Sequence, residues 1–360
     1  MDTNTAVMSL VAAFLCLACA DKLMGNRFGL GALIDEGFYT LGPLAPIMIG
    51  MITLSPVIAR TLYPAASRVL PLIKADPSLF VGAVLANDCG GAALAMNICR
   101  SREAGLLNGA IVASMMGASI GVIPIVLAAV DAERRRYAVL GLLIGFIAIP
   151  PSALISGLIA GIDRGVLFYN LLPIAILAAM IAAALLYAQS CTVRIMIYLG
   201  KAILFVALFG FAASAVAALT GVSVIQGMAP IEEAFVILGQ IGVALAGIFP
   251  LLHLLKKALR RHLPHLSSAM KVNDISVIGL ITTSANFFPV IPMLNKMTPR
   301  GVIVNMAFAV PAAYAIGDHL GFTAGFERSL LFPLAAGKLS GGILAVMAAL
   351  WYCDRVSLDE

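Results

Sequence analysis

Two apolar stretches carry polar, helix-breaking residues at their centres. Residues 78–99 are broken by Asn87-Asp88-Cys89-Gly90-Gly91, and residues 275–294 by Ser284-Ala285-Asn286-Phe287-Phe288-Pro289. Asp88 sits near the midpoint of a run with no other charge, where a carboxylate costs about 2.5–3.5 kcal/mol to insert into a bilayer. The glycines behind it free the backbone for a break or a close helix approach. Asn286 offers a donor and an acceptor together, and Pro289 and Pro292 prevent regular helical bonding after it. Phe287 and Phe288 present ring faces suited to an ammonium group, although core packing or lipid contact is the commoner use of such rings. Broken segments leave N–H and C=O groups for a ligand, and their pairing across an internal repeat points to a transporter's substrate site. Asn87, Asp88, Asn286 and Phe287 are therefore the leading candidates. The alternative for Asp88 is a structural pairing with another helix.

Further along, Gly317-Asp318-His319 places an acid beside an imidazole. Adjacent helical residues project about 100° apart, so Asp318 can reach a cationic substrate while His319 exchanges a proton. Capping of a helix end at the interface is an equal alternative. Lys338 lies inside the last apolar segment as a partner for Asp88 or Asp318, in a structural or gating role. Glu36 precedes the second apolar segment and is either a gate or an ordinary loop acid. No catalytic residue, metal ligand or cofactor site stands out. Cys16-x-x-Cys19 lies in an apolar run with no further ligand. The run Ser114-Met115-Met116-Gly117-Ala118-Ser119 indicates close helix packing, and no Gly-Lys-Ser/Thr follows to make a phosphate loop. An intramembrane aspartyl protease would need Gly-x-Gly-Asp where the chain has Ala315-Ile316-Gly317-Asp318.

The chain has 360 residues, 61% hydrophobic and 11% charged, against about 25% charged in soluble proteins. It reads as an all-α, polytopic integral membrane protein. The net charge of +5 belongs to cytoplasmic connectors and implies no nucleic-acid partner. Residues 1–4 lack a basic n-region, so the first apolar run is expected to be a membrane helix and not a cleaved leader. About 11 segments of spanning length follow, starting near Thr5, Leu41, Ser78, Ala104, Tyr137, Gly165, Ala202, Ala234, Ile275, Gly301 and Ser329. Residues 1–360 form one transport domain with two repeats, 41–162 and 234–352. Pro56 matches Pro250, Asp76 matches Asp274, Asn87 matches Asn286, and Glu133-Arg134 matches Glu327-Arg328, at nearly constant separation. If both interrupted segments cross the membrane, the repeats are parallel. If both are re-entrant hairpins, the repeats are inverted and the N-terminus lies outside. The basic residues fit either topology; analogy with transporters favours inversion. Oligomeric state stays open.

Several blocks resemble one family. Asp-Pro-Ser-Leu-Phe-Val-Gly-Ala-Val-Leu-Ala-Asn-Asp-Cys-Gly-Gly (76–91), Ser-Met-Met-Gly (114–117), Gly-Asp-His-Leu-Gly-Phe (317–322) and Gly-Lys-Leu-Ser-Gly-Gly (337–342) are similar to the ethanolamine utilisation protein EutH. The resemblance runs over essentially the whole chain. It implies a multi-pass protein of the bacterial cytoplasmic membrane that admits ethanolamine for catabolism, with no cofactor. One departure stands out: the family pattern leads to Leu-Ala-Asn-Asn in the second break, and this chain has Ser-Ala-Asn-Phe at 284–287. A related small amine, or a proton-coupled antiport, is the alternative reading.

Overall fold

The computed structural model describes residues 3–42, 45–87, 91–259, 263–317, 319, 322–323 and 326–356. Every regular element among them is helical. In chain order these are α1 (Thr3–Leu23), α2 (Gly31–Leu41), α3 (Ala45–Val69), α4 (Ser78–Val84), α5 (Ala92–Ile98), α6 (Arg102–Ala129), α7 (Ala132–Ile159) and α8 (Arg164–Thr220). After them come α9 (Ile231–Leu259), α10 (Leu263–Met270), α11 (Asp274–Ala285), α12 (Val290–Met293), α13 (Pro299–Ala312) and α14 (Leu331–Cys353). The helices at Arg102–Ala129, Ala132–Ile159, Arg164–Thr220 and Arg328–Cys353 are long and apolar enough to cross a membrane.

Both interrupted segments fold as hairpins. At the mouth of the first, the Asp76 carboxylate accepts from the Ser78 N–H at 2.9 Å and from the Arg100 N–H at 2.9 Å, so one side chain ties entry to exit. Asn273 does the same for the second. Its Oδ1 caps α11 by accepting from the Ser276 N–H, and its Nδ2 donates to the Lys296 carbonyl at 2.8 Å. The rising arms, α4 and α11, hold 7 and 12 residues, roughly 10 and 18 Å at 1.5 Å per residue. Each arm is therefore shorter than a hydrocarbon layer of about 30 Å. Each also stops on an extended residue: Leu85 (φ −111°, ψ 137°) ends α4 and Asn286 (φ −154°, ψ 132°) ends α11.

The two mouths sit at opposite ends of α6. Its first residue, Arg102, follows the exit of the first hairpin and pairs with Glu327. Past its far end, Asn295 beside the second mouth accepts from the Asp131 N–H at 3.0 Å and donates to the Ala129 carbonyl at 3.1 Å. Arg134 Nε adds a bond to the Asn295 carbonyl at 3.0 Å. Twenty-eight residues of α6 separate these ends by roughly 40 Å.

Small residues let the core helices touch. A Cβ on Gly141 would meet the Ile303 carbonyl at 2.4 Å, which seats α7 on α13, and one on Gly337 would meet Ser152 and Ser156, which seats α14 on α7. In a bilayer such close van der Waals packing replaces the hydrophobic drive between helices. One connector differs from expectation. The segments starting near Gly165 and Ala202 belong to two helices that meet at a kink at Ala188 (φ −143°, ψ 39°), so the second helix begins ahead of its expected start. From Gln189 to Leu199 the sequence supplies no proline or glycine to stop a helix.

Candidate functional site

Both hairpin tips press against glycines in the middle of the molecule. A Cβ on Gly117 of α6 would lie 2.0 Å from the Leu85 carbonyl oxygen, and one on Gly317 would lie 1.7 Å from the Ala285 carbonyl oxygen. Only a hydrogen at these positions admits the tips. The last carbonyls of α11 have no partner within their helix. The chain beyond α13 supplies them, with the Tyr314 N–H donating to Thr283 at 3.0 Å and the Ile316 N–H to Ser284 at 2.9 Å. To do so Tyr314 adopts a left-handed backbone at φ 59°, an uncommon conformation for a bulky side chain.

Lys338 links the two tip supports. Its side chain is fully buried, and Nζ donates to the Ser114 carbonyl at 2.6 Å and lies 3.3 Å from His319 Nδ1. Ser114 is three residues before Gly117, and His319 two after Gly317. With Lys338 as an ammonium, which has only donors, Nδ1 accepts and the ring proton sits on Nε2. His319 is 2% exposed and its ring centroid lies 4.8 Å from that of Tyr314. This places it in the protein interior. Ser114 lies in a π-helical stretch of α6, Leu107–Gly117, a geometry that recurs at functional sites.

The remaining candidates fall as follows. Asn87 is completely buried, and neither its Oδ1 nor its Nδ2 has a hydrogen-bond partner. Such an amide calls for a ligand or a water. Asn286 is equally buried, and its Oδ1 accepts from the Phe288 N–H at 2.9 Å; its acceptor therefore shapes the second tip. Phe287 is 1% exposed and walls a cavity of about 20 Å³ with Ser114, Ser119 and Tyr314. That volume suits one water and is too small for a larger guest. Phe288 packs toward Tyr314, centroids 6.1 Å apart. Glu36 is exposed on α2, whose Gly37 packs on Ala246 of α9, outside the group around Lys338. Asp88 and Asp318 lie outside the described residues.

Sequence reasoning missed Ser114, Thr283 and Tyr314. The Thr283 hydroxyl is fully buried without a partner, and nothing in Ser-Ala-Asn-Phe marks the residue before it. Ser114 contributes a main-chain carbonyl, which has no side-chain signature.

Residues 3–352 of the chain match a family model described as "Ethanolamine utilisation protein, EutH". The chain belongs to the EutH family. A relative from Listeria monocytogenes, named a probable ethanolamine permease EutH, is 40% identical over 99% of this chain and 96% of its own. The uncharacterized protein YxeR of Bacillus subtilis is 39% identical over 100% of this chain and 98% of its own. A Salmonella typhimurium protein, also named a probable ethanolamine permease EutH, is 32% identical over 97% and 95%. No solved structure matches. EutH membership and the long apolar helices make this a membrane protein of ethanolamine utilisation.

Proposed function

We propose that this EutH-family chain carries ethanolamine across the bacterial cytoplasmic membrane, as a facilitator or secondary transporter, through a site between two inverted repeats. The observation that carries the reading is Lys338, which bonds to Ser114 and lies beside His319, each close to a glycine that seats one hairpin tip, with the stranded amide of Asn87 at the first tip. A small ammonium with a hydroxyl needs a negative or carbonyl-rich place, a hydroxyl partner and an apolar wall. Asp88 with Asp318, the amides of Asn87 and Asn286, and the ring of Phe287 fill these roles, and His319 borders the same space. Lys338 acts as a gate, and Glu36 lies apart as a peripheral acid.

Matched contacts support the inverted repeats. Ser101 caps α6 as Thr298 caps α13. Asn108 Nδ2 donates to Ser78 Oγ at 3.0 Å, and Asn305 Nδ2 to the Ser276 carbonyl at 2.9 Å. Gly117 faces Leu85 as Gly317 faces Ala285. The link after each repeat's second long helix touches the other repeat, through Asp131 with Asn295 and Glu327 with Arg102. Hairpins entering from opposite sides fit the topology with the N-terminus outside, in which two of about 11 apolar segments are re-entrant.

Labelled ethanolamine uptake into proteoliposomes tests the reading. Wild type is expected to fill the vesicles above the protein-free control, and Asp88→Asn to lose that uptake while still folding. Acceleration by an imposed pH gradient identifies proton coupling; indifference to it identifies facilitation. Wild-type vesicles that fill no faster than empty lipid would end the transport reading.

A further inference from the structure

We infer that the Ser114 carbonyl and His319 Nδ1 form a subsite for a primary ammonium, and that Lys338 is its built-in occupant, displaced when a substrate amine arrives. The inference rests on the transport reading above and adds to it where the amine is held.

The structure already seats a primary ammonium there. Lys338 Nζ is 2.6 Å from the Ser114 oxygen and 3.3 Å from His319 Nδ1, with no part of the side chain exposed. In a regular helix the Ser114 carbonyl would be engaged by the N–H four residues on. In the π stretch Leu107–Gly117 that N–H, of Ala118, bonds to the Ala113 and Met115 carbonyls instead. Donor chemistry then decides the ligand class. A carbonyl oxygen and an unprotonated ring nitrogen are both acceptors, so they select a group rich in donors. A protonated primary amine is such a group.

Size points the same way. The outer atoms of Lys338, from Cγ to Nζ, equal in number the two carbons, nitrogen and oxygen of ethanolamine, and end in the same CH₂–NH₃⁺ unit. The adjoining cavity, lined by Ser114, Ser119, Phe287 and Tyr314, is about 20 Å³, room for a water only. An amine reaches the two acceptors only by taking the place of one already there. Lysine suits that part, because its charge rides on a flexible four-carbon stem. Lys338 also joins the support of the first tip to that of the second, so its removal by substrate loosens the contact between them.

Calorimetric titration of ethanolamine into the full chain in nanodiscs tests this. An internal competitor weakens apparent affinity by the fraction of time it is seated. Lys338→Met removes the ammonium and keeps the length, and is expected to bind ethanolamine about tenfold tighter or more. In the wild type, reductive methylation of Lys338, read by mass spectrometry, is expected to rise in saturating ethanolamine as the side chain leaves its seat. Equal or weaker binding by folded Lys338→Met overturns the inference, as does methylation that stays flat or falls. If the variant does not fold, the methylation result decides alone. Wild type that binds and transports ethanolamine, with neither effect at Lys338, overturns only the subsite. Wild type that neither binds nor transports overturns the transport reading with it.

Discussion

A buried polar group without a partner costs about 1–3 kcal/mol, and Asn87 strands both ends of its amide in the interior. That cost is tolerable where the group is kept for a ligand, and it separates a binding asparagine from a structural one. Asn87→Leu keeps the shape and removes the stranded dipole. We expect its thermal unfolding in detergent to shift upward and vesicle uptake of ethanolamine to fall about tenfold, the loss of one good hydrogen bond to a charged or polar guest. A variant that unfolds earlier with unchanged uptake would make Asn87 structural. Asn286 behaves differently, because its Oδ1 holds the Phe288 N–H. Asn286→Leu is expected to lose stability as well as uptake, since the second tip loses its local turn. The same two calorimetric and uptake measurements check it, and a stability gain like that of Asn87→Leu would refute the distinction.

At the level of elements, the hairpins depend on glycine more than on any polar contact. The Cβ of Gly117→Ala or Gly317→Ala would stand 2.0 or 1.7 Å from a main-chain oxygen of the facing tip. Neither oxygen belongs to a flexible side chain that can swing aside, so the tip itself must move. Overpacking of this kind costs about 1–3 kcal/mol, and both variants are expected to unfold earlier and to transport poorly. Gly239→Ala is the control: nothing lies within 4 Å of its Cβ, and alanine there favours the helix by up to about 1 kcal/mol. Equal behaviour of all three variants would refute tight seating of the tips. Much of this arrangement is legible in the sequence. Asn87, Gly90 and Gly91 in one apolar run, and Asn286 with Pro289 in another, announce the breaks, because polar and helix-breaking residues inside a bilayer need special surroundings. Lys338 announces a buried partner. What cannot be read is contact made by main chain: the π geometry at Ser114, the left-handed Tyr314, and the kink in α8 at Ala188, a residue type that favours helix.

For the molecule as a whole, the question is which side of the membrane each hairpin opens on. Asp76 closes the first mouth by its bond from Arg100, and Asn273 closes the second by its bond to Lys296. The ends of α6, roughly 40 Å apart, are tied to one mouth each through Arg102 and Asn295. A helix of that length exceeds a hydrocarbon core of about 30 Å, so the proposed inverted repeats put the mouths on opposite surfaces. The connector between α9 and α11 carries Lys256, Lys257, Arg260, Arg261 and Lys271, and basic connectors stay in the cytoplasm. In the proposed topology the second hairpin therefore opens inward and the first outward. Arg100 and Lys296 are both exposed, which allows single cysteines to be placed there after the six native ones are replaced. In intact cells an impermeant maleimide is expected to label Arg100→Cys and to spare Lys296→Cys, which reacts only once the membrane is permeabilised. Labelling of both from one side would place the two mouths on one surface. The repeats would then not be inverted, and an alternating exposure of one shared site would lose its geometric basis.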